Sequence, residues 1–170
     1  MLEKLFPDNY YDSIYDIKLS DLKAEGIKGI IFDLDNTIVP RNLSVATEGL
    51  KNWLSRLKDE GFEVCIVSNN WKLRVESIAE QLGVPLVARA AKPRKGAFKR
   101  ALNILGTGRN ETVVVGDQIF TDVLGGNISG LRTVLVMPMS NHEAPHTKIL
   151  RYLERLVMRR WYKTRAQKGR

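Results

Sequence analysis

Between residues 29 and 138, five short runs rich in β-branched residues alternate with segments whose apolar residues recur at helical spacing. The predicted strands are residues 29–33, 62–68, 84–90, 111–117 and 132–138. The predicted helices between them are residues 45–61, 71–83, 94–106 and a short segment within 121–130. Strands that alternate with single helices form right-handed βαβ units around a parallel sheet. The sequence therefore predicts an α/β fold, a three-layer sandwich with a central parallel sheet.

Four of the predicted strands end at a polar or charged residue. In chain order these residues are Asp33, Ser68, Lys92 and Asp117, each within a residue or two of its strand end. Because ligands of open parallel sheets bind beyond the carboxyl ends of the strands, we expect the four side chains to meet at one edge. Two further acids follow closely, Asp35 after the first strand and Asp122 after the fourth.

The acid pair Asp33 and Asp35 follows an apolar strand directly and needs a physical explanation. Like charges this close repel each other, and a divalent cation would cancel the repulsion. Mg²⁺ prefers one or two carboxylates together with water and substrate phosphate oxygens. Asp117 and Asp122 supply further acids at the same predicted edge, so the pattern indicates a Mg²⁺ site.

Hydrogen-bond donors for a phosphate follow the second and third strands. Ser68, Asn69 and Asn70 offer hydroxyl and amide groups, and Lys92 offers a fixed positive charge. With two acids and a metal, these groups form a phosphoryl-transfer site. One aspartate attacks phosphorus, and the other protonates the leaving oxygen and then activates water. Each motif alone also fits a turn, a helix cap or a loop lysine, but all four at strand ends favour a phosphatase.

The segments "DLDNT", "SNN", "AKP" and "GDQIFTD" resemble, in this order, the four motifs of the haloacid dehalogenase-like phosphatases. The resemblance extends over residues 28–138 and implies a Rossmannoid fold and an aspartyl-phosphate intermediate. It implies that Asp33 is the nucleophile and that Asp35 is the general acid/base, whose backbone carbonyl also ligates Mg²⁺. Asp122 is then either a metal ligand or an acid that supports one. The implied residues are Asp33, Asp35, Ser68 and Lys92 for catalysis, Asn36, Thr37, Asn69 and Lys92 for substrate binding, and Asp33, Asp35, Asp117 and Asp122 for the metal.

A closer resemblance includes the segment before the first motif. "SIYDIKLSDLKAEGIKGIIFDLDNT" and "GDQIFTDVLGGN" resemble the YqeG family of subclass IIIA phosphatases, which is related to phosphatidylglycerophosphate phosphatases of mitochondria and plastids. This resemblance implies phosphatidylglycerophosphate, or a similar anionic phospholipid monoester, as the substrate.

The spacing of the motifs leaves no room for a cap domain over the site. Asp33 and Ser68 are 35 residues apart, and Ser68 and Lys92 are 24 apart, and one helix and one strand fill each interval. Small-molecule sites normally bury most of their ligand. An uncapped site therefore favours a phosphate carried by a lipid, a protein or a nucleic acid, unless an oligomer completes the pocket. A phosphatase of small soluble phosphates is the alternative.

The net charge of +8 is concentrated at the end of the chain. From residue 147 onward there are nine basic residues and one acid, which leaves the remainder neutral. The apolar residues of this segment recur at helical spacing and are Ile149, Leu153, Leu156, Val157 and Trp161. We expect a basic amphipathic helix over residues 147–170.

Three roles fit this basic helix. It could pack on the sheet with a solvated basic face, or lie on an anionic membrane with Trp161 and Tyr162 at the headgroups. The third role is binding to RNA or to a ribosome, which is weaker because the sequence contains no RNA-recognition fold. The cationic charge thus predicts an anionic partner without identifying it.

The remaining features concern domain organisation and location. We expect one phosphatase domain over residues 1–146, with residues 1–27 packed on it. No apolar run approaches the ~20 residues that span a bilayer, and the N-terminus lacks a signal-peptide core. The expected location is the cytoplasm, with peripheral contact at the inner face of the membrane as a further hypothesis. Cys65 should be a buried strand residue, and His142 and His146 a solvated loop rather than a metal pair.

Overall fold

A computed structural model of the chain describes residues 2–70, 73–140 and 145–168, without the side chains of residues 145–149 and 168. Its centre is one sheet of six strands, all of them parallel to their neighbours. The strands are β1 (Asn9–Tyr11), β2 (Gly29–Phe32), β3 (Glu63–Val67), β4 (Leu86–Val87), β5 (Thr112–Gly116) and β6 (Arg132–Val136). Their order across the sheet is β1-β6-β5-β2-β3-β4. The predicted parallel α/β sandwich is confirmed.

Helices cover both faces of this sheet. They are α1 (Leu19–Ala24), α2 (Glu48–Asp59), α3 (Leu73–Leu82), α4 (Lys95–Leu105), α5 (Leu124–Ser129) and α6 (Pro145–Lys168). Alternate residues of the strands face opposite sides, as the period of a β-strand requires. Ile30 and Phe32 of β2 pack in the cluster that includes α2 and α3, whereas Ile31 packs against α4. Within the described ranges no separate cap domain is evident, as the motif spacing predicted.

The structure contains one strand that the sequence pattern did not indicate. Asn9–Tyr11 adds to β6 at the edge of the sheet. Asp8 fixes this strand, since its carboxylate accepts a hydrogen bond from the Thr133 amide at 2.8 Å and its own amide donates to the Thr133 carbonyl. This strand has only three residues, and they show no alternation of apolar and polar side chains. The sequence pattern therefore did not predict it. The predicted strand 84–90 is also shorter, with only Leu86–Val87 in the sheet.

Helix α6 docks on the domain with one side. Val157 and Trp161 are buried, and the Trp161 indole donates a hydrogen bond to the Pro7 carbonyl at 2.8 Å. The expectation that Trp161 lies at the level of lipid headgroups is wrong, because its polar edge already has a protein partner. Leu153 and Leu156, which the spacing grouped with the buried residues, are exposed. Among the described residues, no helix combines the length and apolar character that a membrane crossing requires.

Two predictions concern the segment around residues 142–146, which the structure describes only in part. His142 lies within residues 141–144, which are outside the described residues, and His146 is described only as backbone of α6. The domain boundary at residue 146 therefore remains a prediction. Cys65 is buried in β3, and burial raises the pKa of its thiol to about 12, as expected of a core residue.

Candidate active site

The acid pair lies in a tight loop immediately after β2. Asp33 is 8 % exposed, and the following Leu34 is fully buried and anchors the loop. The Leu34 carbonyl accepts hydrogen bonds from two amides that follow, which curls the chain back on itself. Asn36 has a positive φ of 64°, in the left-handed region that asparagine tolerates better than most residues. The loop thus turns the two carboxylates toward the same edge of the sheet.

Three buried carboxylates meet at this edge. Oxygen atoms of Asp33, Asp117 and Asp122 lie within 4.8 Å of one another. Lys92 bridges two of them, with its Nζ 2.6 Å from Asp33 Oδ1 and 2.6 Å from Asp122 Oδ1. Gly116 makes this approach feasible, since a Cβ there would lie 2.4 Å from the Asp122 side chain. Strand ends that are far apart in the chain therefore form one cluster, as the sheet topology requires.

Burial shapes the electrostatics of the cluster. Desolvation raises the pKa of Asp33 to about 6, with Lys92 opposing the rise and Asp122 adding to it. Desolvation and the charge of Asp33 raise the pKa of Asp117 to about 8, against the effect of Arg151. The pKa of Lys92 is raised above its ordinary value because the two carboxylates outweigh its burial. Loss of solvation therefore keeps the pKa values of Asp33 and Asp117 raised, although Lys92 and Arg151 oppose the shift.

A divalent cation fits this donor set. Hard cations prefer carboxylate oxygens, and the three acids present their oxygens at nearly the spacing of a shared coordination sphere. A cation would also lower the raised pKa values, because it favours the ionised form of each acid. Asp35 does not belong to the carboxylate cluster, so any contribution to a metal would come from its backbone carbonyl, which stays a prediction.

The predicted substrate-binding residues have protein partners that fix their positions. The Thr37 hydroxyl lies 3.2 Å from both Asp33 Oδ2 and Asp117 Oδ1 and can donate to one at a time. Asn36 uses its side-chain oxygen to accept hydrogen bonds from the Arg41 amide and the Ser140 hydroxyl. Both side chains thus brace the loop, and their contact with a substrate stays a prediction.

The segment after β3 holds the lysine. Asn69 accepts a hydrogen bond from the Lys92 amide at 2.7 Å. Ser68 is buried, and its hydroxyl accepts a hydrogen bond from the Asn70 amide, which leaves the hydroxyl hydrogen to be donated. Ala91 has a positive φ of 53°, a costly conformation for alanine that is typical of functional loops. The loop after β3 and the loop after β4 therefore position the Ser68 hydroxyl and the Lys92 amine close together.

Arg74 is a site residue that the sequence did not indicate. Its Nη1 donates to Asp35 Oδ1 at 2.6 Å, and its other nitrogens donate to the carbonyls of Pro40 and Leu43. Asn70 contacts the second oxygen of Asp35 at 3.4 Å. One arginine of α3 therefore fixes the orientation of Asp35 and the loop that covers it. Only tertiary contacts identify it, since in the sequence it is an ordinary helical residue.

Arg151 of α6 is a second missed residue. It forms an ion pair with the Asp117 carboxylate and another with Glu154 at 2.8 Å. Glu154 is buried and accepts a hydrogen bond from the Ile119 amide at 2.6 Å. The basic helix thus reaches the acid cluster. The sequence showed nine cations in this segment but nothing that distinguished Arg151 from the others.

A pocket of about 250 Å³ opens above the cluster. Its lining residues are Asp33, Asp35, Arg41, Ser68, Asn69, Asn70, Lys92, Gln118 and Thr121. The pocket brings together the predicted catalytic residues Asp33, Asp35, Ser68 and Lys92. Two aspartates, a hydroxyl group and a lysine therefore line one small pocket.

Family models match two adjoining parts of the chain. Residues 30–92 match the model described as haloacid dehalogenase-like hydrolase, and residues 89–150 match the one described as HAD-hydrolase-like. The two matched ranges together contain every acid of the cluster, the lysine and both predicted polar loops.

Two curated relatives match most of the chain. The Bacillus subtilis protein called "Probable phosphatase YqeG" is 42% identical over 159 residues, which are 93% of this chain and 92% of the relative. Phosphatidylglycerophosphate phosphatase 1, chloroplastic/mitochondrial, of Arabidopsis thaliana is 29% identical over 88% of this chain and 47% of the relative.

Solved structures share the fold at low sequence identity. The cobalt-bound deoxy-D-mannose-octulosonate 8-phosphate phosphatase of Haemophilus influenzae aligns with a TM-score of 0.56 at 14% identity, over 83% of this chain and 92% of its own. A protein of Listeria monocytogenes aligns with a TM-score of 0.54 at 20% identity, over 70% and 85%. These similarities concern the architecture alone.

Proposed function

We propose that this chain, which belongs to the YqeG family of haloacid dehalogenase-like phosphatases, hydrolyses the terminal phosphomonoester of an anionic phospholipid, with phosphatidylglycerophosphate as the preferred substrate. Phosphatase chemistry follows from the family. The observation that carries the reaction scheme is the buried ion pair between Asp33 and Lys92 at the floor of an uncapped pocket. The residue roles below belong to the proposal.

In the first half-reaction, Asp33 attacks phosphorus and the bond between phosphorus and the ester oxygen breaks. Lys92 and the Ser68 hydroxyl hold the phosphoryl oxygens and orient them for this attack. Asp35 donates its proton to the departing alkoxide, and the phosphoryl group remains on Asp33 as an acyl phosphate.

In the second half-reaction, Asp35 accepts a proton from water, and the water oxygen attacks the phosphorus of the aspartyl phosphate. Inorganic phosphate leaves and the Asp33 carboxylate is regenerated, so atoms and charge balance over the cycle. Arg74 and Asn70 hold Asp35 above the pocket in both steps. Mg²⁺ bound by Asp33, Asp117 and Asp122, and by the Asp35 carbonyl, would supply positive charge opposite the phosphoryl oxygens.

Three observations support a lipid-borne substrate. A relative with 29% identity is named a phosphatidylglycerophosphate phosphatase. In the described part of the chain no cap domain covers the pocket, so the pocket can receive a phosphate carried at a membrane. Helix α6 carries a row of arginines, one of which pairs with Asp117 of the acid cluster, and such charges attract anionic lipid surfaces. Peripheral contact with the inner face of a membrane is part of the proposal, as is a cytoplasmic location.

The test compares substrates under the same conditions. Phosphatidylglycerophosphate in mixed detergent micelles is assayed beside soluble sugar and nucleotide phosphates, with Mg²⁺ present and with the Asp33→Asn variant as the inactive control. We expect the largest kcat/KM for the lipid. A higher kcat/KM for a soluble phosphate would overturn the lipid assignment and leave the phosphatase intact.

Hydrolysis of small soluble phosphates is the second candidate. Glyceraldehyde 3-phosphate phosphatase of Pyrococcus furiosus is 27% identical over 51% of this chain, and the small pocket volume suits such a ligand. Activity that is indifferent to added vesicles would support this candidate. Association with RNA or a ribosome is distinguished by salt-sensitive RNA binding without any preference for anionic vesicles.

A further inference from the structure

A second, larger cleft lies beside the active site. It has a volume of about 730 Å³ and lies between α6, the edge strand β1 and the end of β6. Its floor is mainly apolar and includes Tyr10, Leu135, Met137 and Met158. Met137 is 51 % exposed, although its side chain is large and apolar. An apolar cleft of this size falls within the range of small-molecule binding sites.

Three arginines of α6 form one wall of this cleft. Arg151, Arg155 and Arg159 follow one another at intervals of four residues, so they project from the same side of the helix on successive turns. Arg151 is paired with Asp117 and Glu154, the two acids in the lining. With the described residues, Arg155 and Arg159 form no ion pair, and the Arg155 guanidinium lies 5.8 Å from the centre of the Tyr152 ring. Two guanidinium groups therefore face the cleft without an anionic partner in the described part of the chain.

The cleft and the catalytic pocket are lined by neighbouring residues of one short segment. Asp117 and Ile119 line the cleft, and Gln118 between them lines the pocket. The hydrogen bond between Glu154 and the Ile119 amide fixes α6 against this three-residue segment. A ligand with its phosphate at Lys92 would reach the cleft by extending past this segment. This contact fixes the position of the α6 wall of the cleft without a bound ligand.

We propose that this cleft binds the body of an anionic glycerophospholipid, with an acyl chain on the apolar floor and the internal phosphodiester at Arg155 and Arg159. The proposal rests on the proposed function, because the ligand is the part of the substrate remote from the reacting phosphate. The match is one of charge and polarity. Guanidinium groups bind phosphate oxygens in pairs, and an aliphatic floor removes acyl methylene groups from water.

The opposite side of α6 offers a competing explanation and a matched control. Leu153 and Leu156 are exposed there, and Arg160 adds a positive charge. If the helix only adsorbed to a membrane surface, charges on this side would matter as much as those in the cleft. A lipid that is monomeric in solution separates the two cases, because it presents no surface.

The experiment measures binding of dihexanoyl phosphatidylglycerol, below its micelle concentration, to the full chain by NMR titration. The lipid carries the phosphodiester and acyl chains but no phosphomonoester, so binding is read without turnover. We expect Arg155→Gln/Arg159→Gln and Met137→Glu each to weaken binding by about tenfold or more. The control Arg160→Gln, compared with Arg159→Gln alone, removes one charge from the other side and should stay within about twofold of the unmodified chain.

Turnover of p-nitrophenyl phosphate checks that the variants keep their fold and active site, and its kcat/KM should not change. Weakening by Arg160→Gln equal to that by Arg159→Gln, or no binding by the unmodified chain, would contradict binding in the cleft. Binding of the lipid in the cleft without hydrolysis of any lipid monoester would contradict the proposed substrate but not the cleft. Lipid hydrolysis that is unaffected by the cleft variants would contradict lipid binding in the cleft but not the proposed substrate.

Discussion

Replacing Asp33 with asparagine should make the metal-free protein more stable while it abolishes turnover. Desolvation, opposed by Lys92, raises the pKa of Asp33 from 3.8 to about 6. A shift of about 2 pKa units corresponds to roughly 3 kcal/mol by which folding disfavours the ionised carboxyl. Asparagine has the same shape but no charge, so the variant avoids this penalty. Its amide oxygen can still accept the Lys92 hydrogen bond, and its NH₂ can donate to the Thr37 hydroxyl.

The gain in stability should depend on pH in a defined way. Because the folded pKa of Asp33 lies above the unfolded one, the folded state keeps a proton that the unfolded state releases between pH 3.8 and about 6. The contribution of Asp33 to the stability of the unmodified chain therefore falls as the pH rises through this window. The advantage of Asp33→Asn should be absent below about pH 4 and complete above about pH 6.

Thermal unfolding in EDTA at pH 8 and at pH 4 measures this difference. For a chain of this length, about 3 kcal/mol corresponds to an increase in Tm of about 6 to 12 °C. The exposed Asp59→Asn is the matched control and should not shift Tm at either pH. With Mg²⁺ at pH 8 the advantage should shrink, because the variant loses a metal ligand. A variant that is less stable at pH 8 in EDTA, or a gap of equal size at both pH values, would refute the reasoning.

Three further outcomes follow from the same contacts. Lys92→Met leaves Asp33 and Asp122 without the lysine that pairs with both. This change should lower kcat by about 10²-fold or more, and it should lower the unfolding free energy by about 3–5 kcal/mol at pH 8 in EDTA. An unfolding free energy in urea within about 1 kcal/mol of that of the unmodified chain would contradict this. The affinity for Mg²⁺ in calorimetry should rise from pH 5 to pH 8, because protons must leave Asp33 and Asp117, whose pKa values are about 6 and about 8. A pH-independent affinity would be incompatible with raised pKa values. Trp161→Ala should destabilise the chain by about 3–5 kcal/mol, and an unchanged Tm would mean that α6 does not dock through this residue.

The sequence predicts the parts of the site that lie at strand ends. Asp33, Lys92 and Asp117 each follow a predicted strand, and a parallel sheet brings such ends to one edge whatever their distance along the chain. Their meeting in one buried cluster could therefore be expected from the order of strands and helices alone. Parallel sheet, helices on both faces and the missing cap follow from the same periodicity and spacing.

Features that depend on side-chain reach were not predictable. Arg74 contacts Asp35 across 39 residues, and nothing in "WKLRVES" distinguishes it from a surface arginine. Arg151 has the same local appearance as the other cations of its helix. Helical spacing also grouped Leu153 with Trp161, whereas the docked face was decided by partners from elsewhere, such as the Pro7 carbonyl. Helical spacing therefore identifies the apolar side of a helix, but it does not identify which residues of that side are buried.

Trapping the intermediate tests the covalent mechanism most directly. The protein is quenched with borohydride during steady hydrolysis of p-nitrophenyl phosphate with Mg²⁺, which reduces an aspartyl phosphate to homoserine, and its peptides are analysed by mass spectrometry. Homoserine should appear at residue 33, only when substrate is present, and not in Asp33→Asn. Modification at another acid, or continued turnover by Asp33→Asn, would contradict attack by Asp33.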